Sequence, residues 1–430
     1  MNTPERFDPH RRMPHARVWR LLLGAVALAL PLASGLAACA LDPRGAKGGD
    51  TVALATIFPI AGAGGAIGRS MTQAVDLAVS QHASLGRGYT LKVIHLDESS
   101  GSLVADATHA AGEPDIMGVV GPFSSEAAIE TAPVLAAAGV VTISPTAMLP
   151  GLTQSDQAAA EGLAFSKLHP PGKPASFFRM TADDNAAGAA AARLALAPRS
   201  AHGLSARSVF LVDDGSLSGA AQISAFSRTF QAAGGVVAGR RDIAPDDAIG
   251  VQSAVSAIIS SNPDAVFFAG DLALGATLRG VLTLTGAPML VMLTAGPIAD
   301  NPAWSDTVGG GALSAYTTGL LPAQSLSQLP GGASFIRAFK AAYPGTVVTP
   351  LSAVAYDAAM DEISAITSLI SAGKPVTRAA VLATVASAKY AGVTGAVTFD
   401  QRGDPKTPHP FTVYTCDTKG AWSYQTTIAG

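Results

Sequence analysis

The chain has 430 residues, of which 48% are apolar and only 14% charged, with 28 Lys and Arg against 31 Asp and Glu for a formal net charge of −3. That length exceeds a single small module and accommodates two domains with ample core, while the near-neutral balance gives no basic field for DNA or RNA, which excludes nucleic acid as a partner. Its 45 glycines and 28 prolines, spread along an apolar chain, fit a packed α/β protein with many tight turns rather than a disordered one.

Arg6, Arg11, Arg12, Arg17 and Arg20 precede an apolar run from Leu21 to Leu32, the order of a secretory leader. The run is too short, at roughly a dozen residues against the roughly 20 of a bilayer span, to be a permanent transmembrane helix. Leu36-Ala37-Ala38-Cys39 then resembles the lipobox of bacterial lipoproteins, in which the cysteine sulfur receives a diacylglyceryl group. That resemblance implies a leader over 1–38 and lipidation at Cys39, followed by a flexible tether to residue 50 and a folded body held outside the cytoplasm through the membrane anchor. With Cys39 lipidated, Cys416 has no disulfide partner, and its apolar surroundings from Phe411 onward predict a buried, inert thiol.

From Thr51 the pattern alternates short apolar or β-branched runs with helical stretches, which is how βαβ units build parallel sheets. Strands are predicted at Thr51 to Phe58, Thr90 to Leu96, Ile116 to Val120, Val140 to Ser144, Ser208 to Val212, Val236 to Arg240, Ala265 to Ala269 and Met289 to Leu293. Helices are predicted at Gly68 to Ser80, Ser125 to Ala138, Ala186 to Ala197, Leu217 to Ala233, Gly250 to Ser260 and Leu272 to Leu284. After Tyr316 the pattern turns helical (Phe335 to Ala342, Leu351 to Ser371, Thr377 to Ala386) before two closing strands at Ala396 to Asp400 and Phe411 to Thr415. The Pro170-Pro171-Gly172 loop marks a boundary between two α/β blocks, and a ligand is expected where strand ends open into helices.

Catalytic signatures are not found. No HExxH, paired-cysteine zinc spacing or GxSxG elbow occurs; Gly215-Ser216-Leu217-Ser218-Gly219 has leucine at the nucleophile position, and Ser371-Ala372-Gly373-Lys374 runs into Pro375 at a helix end. Gly62 to Gly68, GAGGAIG, lacks the pattern of a nucleotide-phosphate loop. Asp97 and Glu98, at a strand end, offer a pair that can act as acid and base or simply stand as polar loop residues. No cofactor, no metal and no enzymatic activity are expected.

Gly118 to Leu152, GVVGPFSSEAAIETAPVLAAAGVVTISPTAMLPGL, resembles the core of the type I periplasmic binding proteins, the branched-chain amino-acid-binding family of ABC transporters. Pro59 with the glycine-rich loop, Phe178-Arg179, Phe210-Leu211-Val212-Asp213-Asp214, Ala355-Tyr356-Asp357-Ala358 and Gly392 to Asp400 with Gly403-Asp404 resemble further family elements in the same order. The resemblance implies two Rossmann-like lobes with parallel-rich sheets, joined by three crossovers near Thr181, Leu313 and Val397. Lobe 1 would comprise 51–180 plus 314–396, and lobe 2 would comprise 181–313 plus 397–430. It further implies hinge closure on a small polar or amphipathic ligand and docking to permease subunits. The same fold without a transport role, as an envelope sensor or protein-interaction module, is the alternative, and exposed apolar surface without a ligand response would distinguish it.

Ser124 and Ser125 end a strand and open a helix, where unpaired N–H groups and the helix dipole suit an anion or simply a cap. By position Ser125, beside Phe123, matches the family serine that holds an amino-acid carboxylate. The family's ammonium-binding threonine is replaced by Met148, with Thr146 nearby, and its acidic partner has no counterpart around Thr294 to Gly296. Asp271 is the replacement charge, or a helix cap. Ile67 and Leu217 stand where the family has aromatic residues around the ligand side chain.

Overall fold

The computed structural model describes residues 50–429, so the leader, the lipobox with Cys39 and the tether before Asp50 lie outside the described residues. Two sheets organise the chain. The first contains β1 (Thr51–Phe58), β2 (Ser84–Gly86), β3 (Tyr89–Asp97), β4 (Ile116–Val120), β5 (Val141–Ser144) and β6 (Phe177–Arg179), in the order β2-β3-β1-β4-β5-β6. The second contains β7 (Ser208–Asp213), β8 (Val236–Asp242), β9 (Ala265–Ala269), β10 (Val291–Ala295) and β11 (Thr317–Leu321). A small hairpin, β12 (Tyr390–Gly392) with β13 (Gly395–Val397), then precedes β14 (Phe411–Cys416) and β15 (Trp422–Ile428), which complete the second sheet in the order β15-β14-β11-β10-β9-β7-β8.

The central strands are parallel, and only β2 in the first sheet and β14 and β15 in the second run against their neighbours. β4, β5 and β9 are buried at every position, which is why they read as continuous apolar runs without alternation. Helices cover both faces: Gly65–Gln81 and Pro350–Ser371 share one core with Leu54, Phe58 and Ile143. In the second lobe Phe226 stacks on Phe267 with ring centroids 4.4 Å apart within a core that includes Val209, Leu211 and Leu293. Each such fully buried apolar side chain contributes about 1.5–3 kcal/mol of burial free energy.

The chain leaves the first sheet after β6 and returns after β11. It crosses a third time between β13 and β14. Three expectations are corrected here. The segment after Tyr316 is not immediately helical, because Thr317–Leu321 forms a buried strand paired with β10 and β14. The return crossing therefore follows Leu321 instead of falling near Leu313. TTGLL is a weak strand signal because of Gly319, yet a Cβ there would come within 2.5 Å of Ala299, so close packing requires the glycine. The closing strand expected at Ala396 to Asp400 is limited to Gly395–Val397, and Trp422–Ile428 supplies an edge strand not foreseen.

Buried polar ties hold the crossings. Arg179, 1% exposed, places Nε 2.8 Å from the Asp404 carboxylate and donates through Nη1 to the Leu149 carbonyl at 3.0 Å, with Thr153 as a further partner. Asp357 accepts from the N–H groups of Val393 and Thr394 at 2.9 and 2.6 Å, fixing the β12–β13 hairpin. Among the described residues no helix is long and apolar enough to cross a membrane.

Candidate functional site

In both lobes the parallel strands deliver their carboxyl ends to the same side, so the loops after β1, β4 and β5 face those after β7, β9 and β10 across a cleft of about 720 Å³. The first-lobe wall starts with the glycine-rich loop. Gly68 packs on it so closely that a Cβ would lie 1.8 Å from the Pro59 carbonyl oxygen, which brings Ala63, Gly64 and Ile67 to the cleft.

Phe123, Ser124 and Ser125 form the next part of this wall. Ser124 caps the helix Ser125–Ala137, its side chain accepting from the Ala127 N–H at 3.1 Å. The N–H groups of Phe123 and Ser124 donate to the two carboxylate oxygens of Glu98 at 2.7 and 2.9 Å. These two N–H groups are therefore already held by a carboxylate of the chain. Burial pushes Glu98 up to about 7 against the pull of these bonds. Ser125 is buried, and its Oγ accepts from the N–H groups of Met148 and Leu149 at 3.2 and 3.0 Å. Its hydroxyl hydrogen remains available to donate. Thr146 donates to the Phe123 carbonyl at 2.6 Å.

Met148 lines the cleft from the first lobe while its side chain packs in the core cluster of the second. Its carbonyl accepts the Asp184 N–H at 2.9 Å, so this turn docks on the start of the helix Asp184–Leu196. Asp271 caps the helix Leu272–Leu284, accepting from the Leu274 N–H at 2.8 Å, and still faces the cleft. Cap and cleft residue are one and the same here. Leu217 is the exception among the expected positions: it is 37% exposed and does not line the cleft, because the helix it opens turns Ser216, Ser218 and Gly219 inward instead.

Sequence reading missed the polar residues that most distinguish the site. Asp184 is 1% exposed; its Oδ1 accepts from Gln222 Nε2 at 2.7 Å and the Ser218 hydroxyl is a further partner, while Gln222 Oε1 has no hydrogen-bond partner. Burial pushes its carboxyl up to about 7. Asp214 spans two second-lobe loops by accepting from the N–H groups of Ser216 and Asp271, each at 3.0 Å. Glu126, exposed in the first-lobe wall, is raised above the usual carboxylate range by partial desolvation, and the facing Asp214 charge adds to the shift. The visible signal was only that Asp183-Asp184 and Asp213-Asp214 stand at a helix start and a strand end.

Asp97 and Glu98 make no acid–base pair in the cleft: Asp97 accepts from Ile60 and Ser99, and Glu98 is held as described. No group of three His, Cys, Asp or Glu able to hold a metal occurs among the described residues. Cys416 is a buried free thiol, 3.5 Å from the Ser314 hydroxyl.

Solved structures with this fold include the branched-chain amino acid transporter substrate binding protein LivJ of Streptococcus pneumoniae in complex with isoleucine. It is 17% identical over 89% of this chain and 99% of its own, with a TM-score of 0.72. A leucine binding protein of Thermotoga maritima is 21% identical over 88% and 99%, with a TM-score of 0.72. A solute binding protein of an ABC transporter from R. palustris, in complex with benzoate, is 19% identical over 89% and 98%, with a TM-score of 0.69. Among curated proteins none matches the sequence significantly. The family model described as periplasmic binding protein matches residues 51–421, and with the two-lobed fold and its cleft this establishes that the chain belongs to the periplasmic binding proteins, a family of solute-binding proteins and not of enzymes.

Proposed function

We propose that the chain is the lipid-anchored solute-binding component of an ABC importer, tethered through Cys39, which closes its two lobes on a small polar or amphipathic ligand and presents the closed form to permease subunits. The observation that carries this reading is the cleft itself: about 720 Å³, walled by both lobes, with polar side chains converging from each. A ligand that touches both walls gains contacts only on closure, and that difference is what shifts the population to the closed state. The structural neighbours bound to isoleucine, leucine and benzoate support a small-molecule ligand of amino-acid or related size.

The test uses the full-length chain in detergent. Its thermal unfolding is measured against amino acids, amides, amines, aromatic acids and polyols, with small-angle scattering to follow closure. A ligand at a hundred times its Kd adds about 2.7 kcal/mol of stability. A compound that both stabilises and compacts the protein supports the reading, whereas folded, ligand-free protein that responds to no compound refutes it. Membrane extraction of wild type against Cys39→Ser tests the anchor, which requires the variant to leave the membrane fraction.

A further inference from the structure

The cleft has a one-sided charge. Glu126 in the first lobe and Asp184, Asp214 and Asp271 in the second line it, and no Lys, Arg or His does. Glu126 and Asp271 are exposed in the cleft, Asp214 is half-buried, and Asp184 stands behind them with almost no exposure. A cluster of acids alone says little, because acids at helix starts are ordinary. The second observation is independent of charge: Gln222 Oε1, an acceptor on a nearly fully buried side chain in this wall, has no hydrogen-bond partner, while Asp184 beside it is held by Gln222 and Ser218. Gln222 Nε2 points at Asp184 Oδ1, which orients the amide and leaves its oxygen free. A buried acceptor without a donor is costly, and the group that satisfies it must bring N–H or O–H.

The opposite requirement, a place for a ligand anion, is poorly met. The N–H groups of Phe123 and Ser124 are held by Glu98, which leaves the Ser125 hydroxyl as a neutral donor on that wall. An anion in the cleft would face the four carboxylates with no cationic side chain in the wall. Aromatic surface is restricted to Phe123, so the aromatic cage that a quaternary ammonium needs is not built.

We propose that the ligand is an organic cation bearing N–H donors, a primary ammonium, amidinium or guanidinium compound, whose charged head is received by Asp184 and Gln222 and enclosed from the first lobe by Glu126. The assignment rests on the binding reading above and narrows it. Glu126 and Asp214 repel one another across the open cleft, and a cation placed between them turns that repulsion into attraction for both lobes, which couples charge recognition to closure.

The experiment is calorimetry on the full-length chain with three five-carbon probes that differ in end charge: 1,5-diaminopentane, 1,5-pentanediol and glutarate. Agmatine, L-leucine and benzoate complete the set. The expected result is binding of the diamine or agmatine, affinity that falls as salt rises, and at least a tenfold loss in Asp184→Asn and in Glu126→Gln. Glu126→Gln changes an exposed side chain and keeps the comparison interpretable where Asp184→Asn affects folding. Binding confined to leucine, benzoate, glutarate or the diol, with affinity unchanged in Glu126→Gln, overturns the cation assignment and leaves the solute-binding reading standing. No binding of any probe to folded, ligand-free protein overturns the assignment together with that reading.

Discussion

Glu362 offers a quantitative test of how the first lobe is held together. It lies in the helix Pro350–Ser371 with no exposed surface, and it packs so tightly under β4 that a Cβ on Gly118 would sit 2.5 Å from it. Burial, with the neighbouring Asp361 charge second, holds its pKa well above the usual 4.5, so the folded protein keeps the proton to higher pH than the unfolded chain does. Folding at a pH between the unfolded and folded values must therefore take up a proton. The cost is about 1.4 kcal/mol for each pH unit above the unfolded value, up to the folded one. The sign follows from a folded pKa that is raised: the cost is absent below pH 4.5 and grows as pH rises toward the folded value. Glu362→Gln keeps the shape and carries no titrating proton. It should match or fall slightly below wild type at pH 4.5 and gain on it as pH rises, by about 2 °C in Tm per pH unit for a chain of this length. Thermal unfolding of both proteins from pH 4 to pH 8 measures the difference. A constant gap across that range, or a wild type that gains on the variant as pH rises, would refute the buried neutral acid.

Ser125→Ala strands the N–H groups of Met148 and Leu149, and unfolding in denaturant should register a loss of about 2–4 kcal/mol even without ligand. Gly68→Ala forces the Pro59 carbonyl away, costs about 1–3 kcal/mol in denaturant unfolding and, by displacing the Ala63–Gly64 wall, weakens ligand affinity beyond its effect on stability. Arg179→Met leaves Asp404 without its buried ion partner and the Leu149 carbonyl without its donor, a loss of about 3–5 kcal/mol read from the denaturation midpoint. Binding of 1,5-diaminopentane should strengthen as pH rises toward about 7, where Asp184 ionises, and level off above it. The groups facing that carboxylate are Arg179, Asp183, Ser218 and Gln222, and Asp184→Asn should flatten the profile measured by calorimetry.

The architecture was legible because central parallel strands are buried on both faces. Thr51–Phe58, Ile116–Val120 and Ala265–Ala269 stand out as uninterrupted apolar runs for that reason, and the helices between them begin at recognisable caps such as Ser124, Ser216 and Asp271. Thr317–Leu321 escaped because its Gly319 answers to packing against Ala299, a contact that no local pattern encodes. Trp422–Ile428 escaped because an edge strand with mixed burial lacks a clean period. Leu217 was misplaced for a related reason: on the first turn of a helix a shift of one residue rotates a side chain by about 100°, so Ser216 and Ser218 take the cleft while Leu217 faces solvent.

The acidic cleft could not be read from the sequence because each of its carboxylates has a sufficient local explanation. Asp184 follows the cap Asp183, Asp271 is itself a cap, Glu126 lies in the first turn of its helix, and Asp214 ties a turn. Acids at these places complement helix N-termini, each worth about 0.3–1 kcal/mol, and need no ligand to justify them. The topology gives them a joint consequence. In a parallel α/β lobe these helices start at the carboxyl ends of the strands, and this chain sets two such lobes with those ends facing one another, so charges that were chosen one by one at helix starts accumulate in a single cleft. Their sum opposes closure while the cleft holds only water, and a cation is the solute that converts it into a force drawing the lobes together.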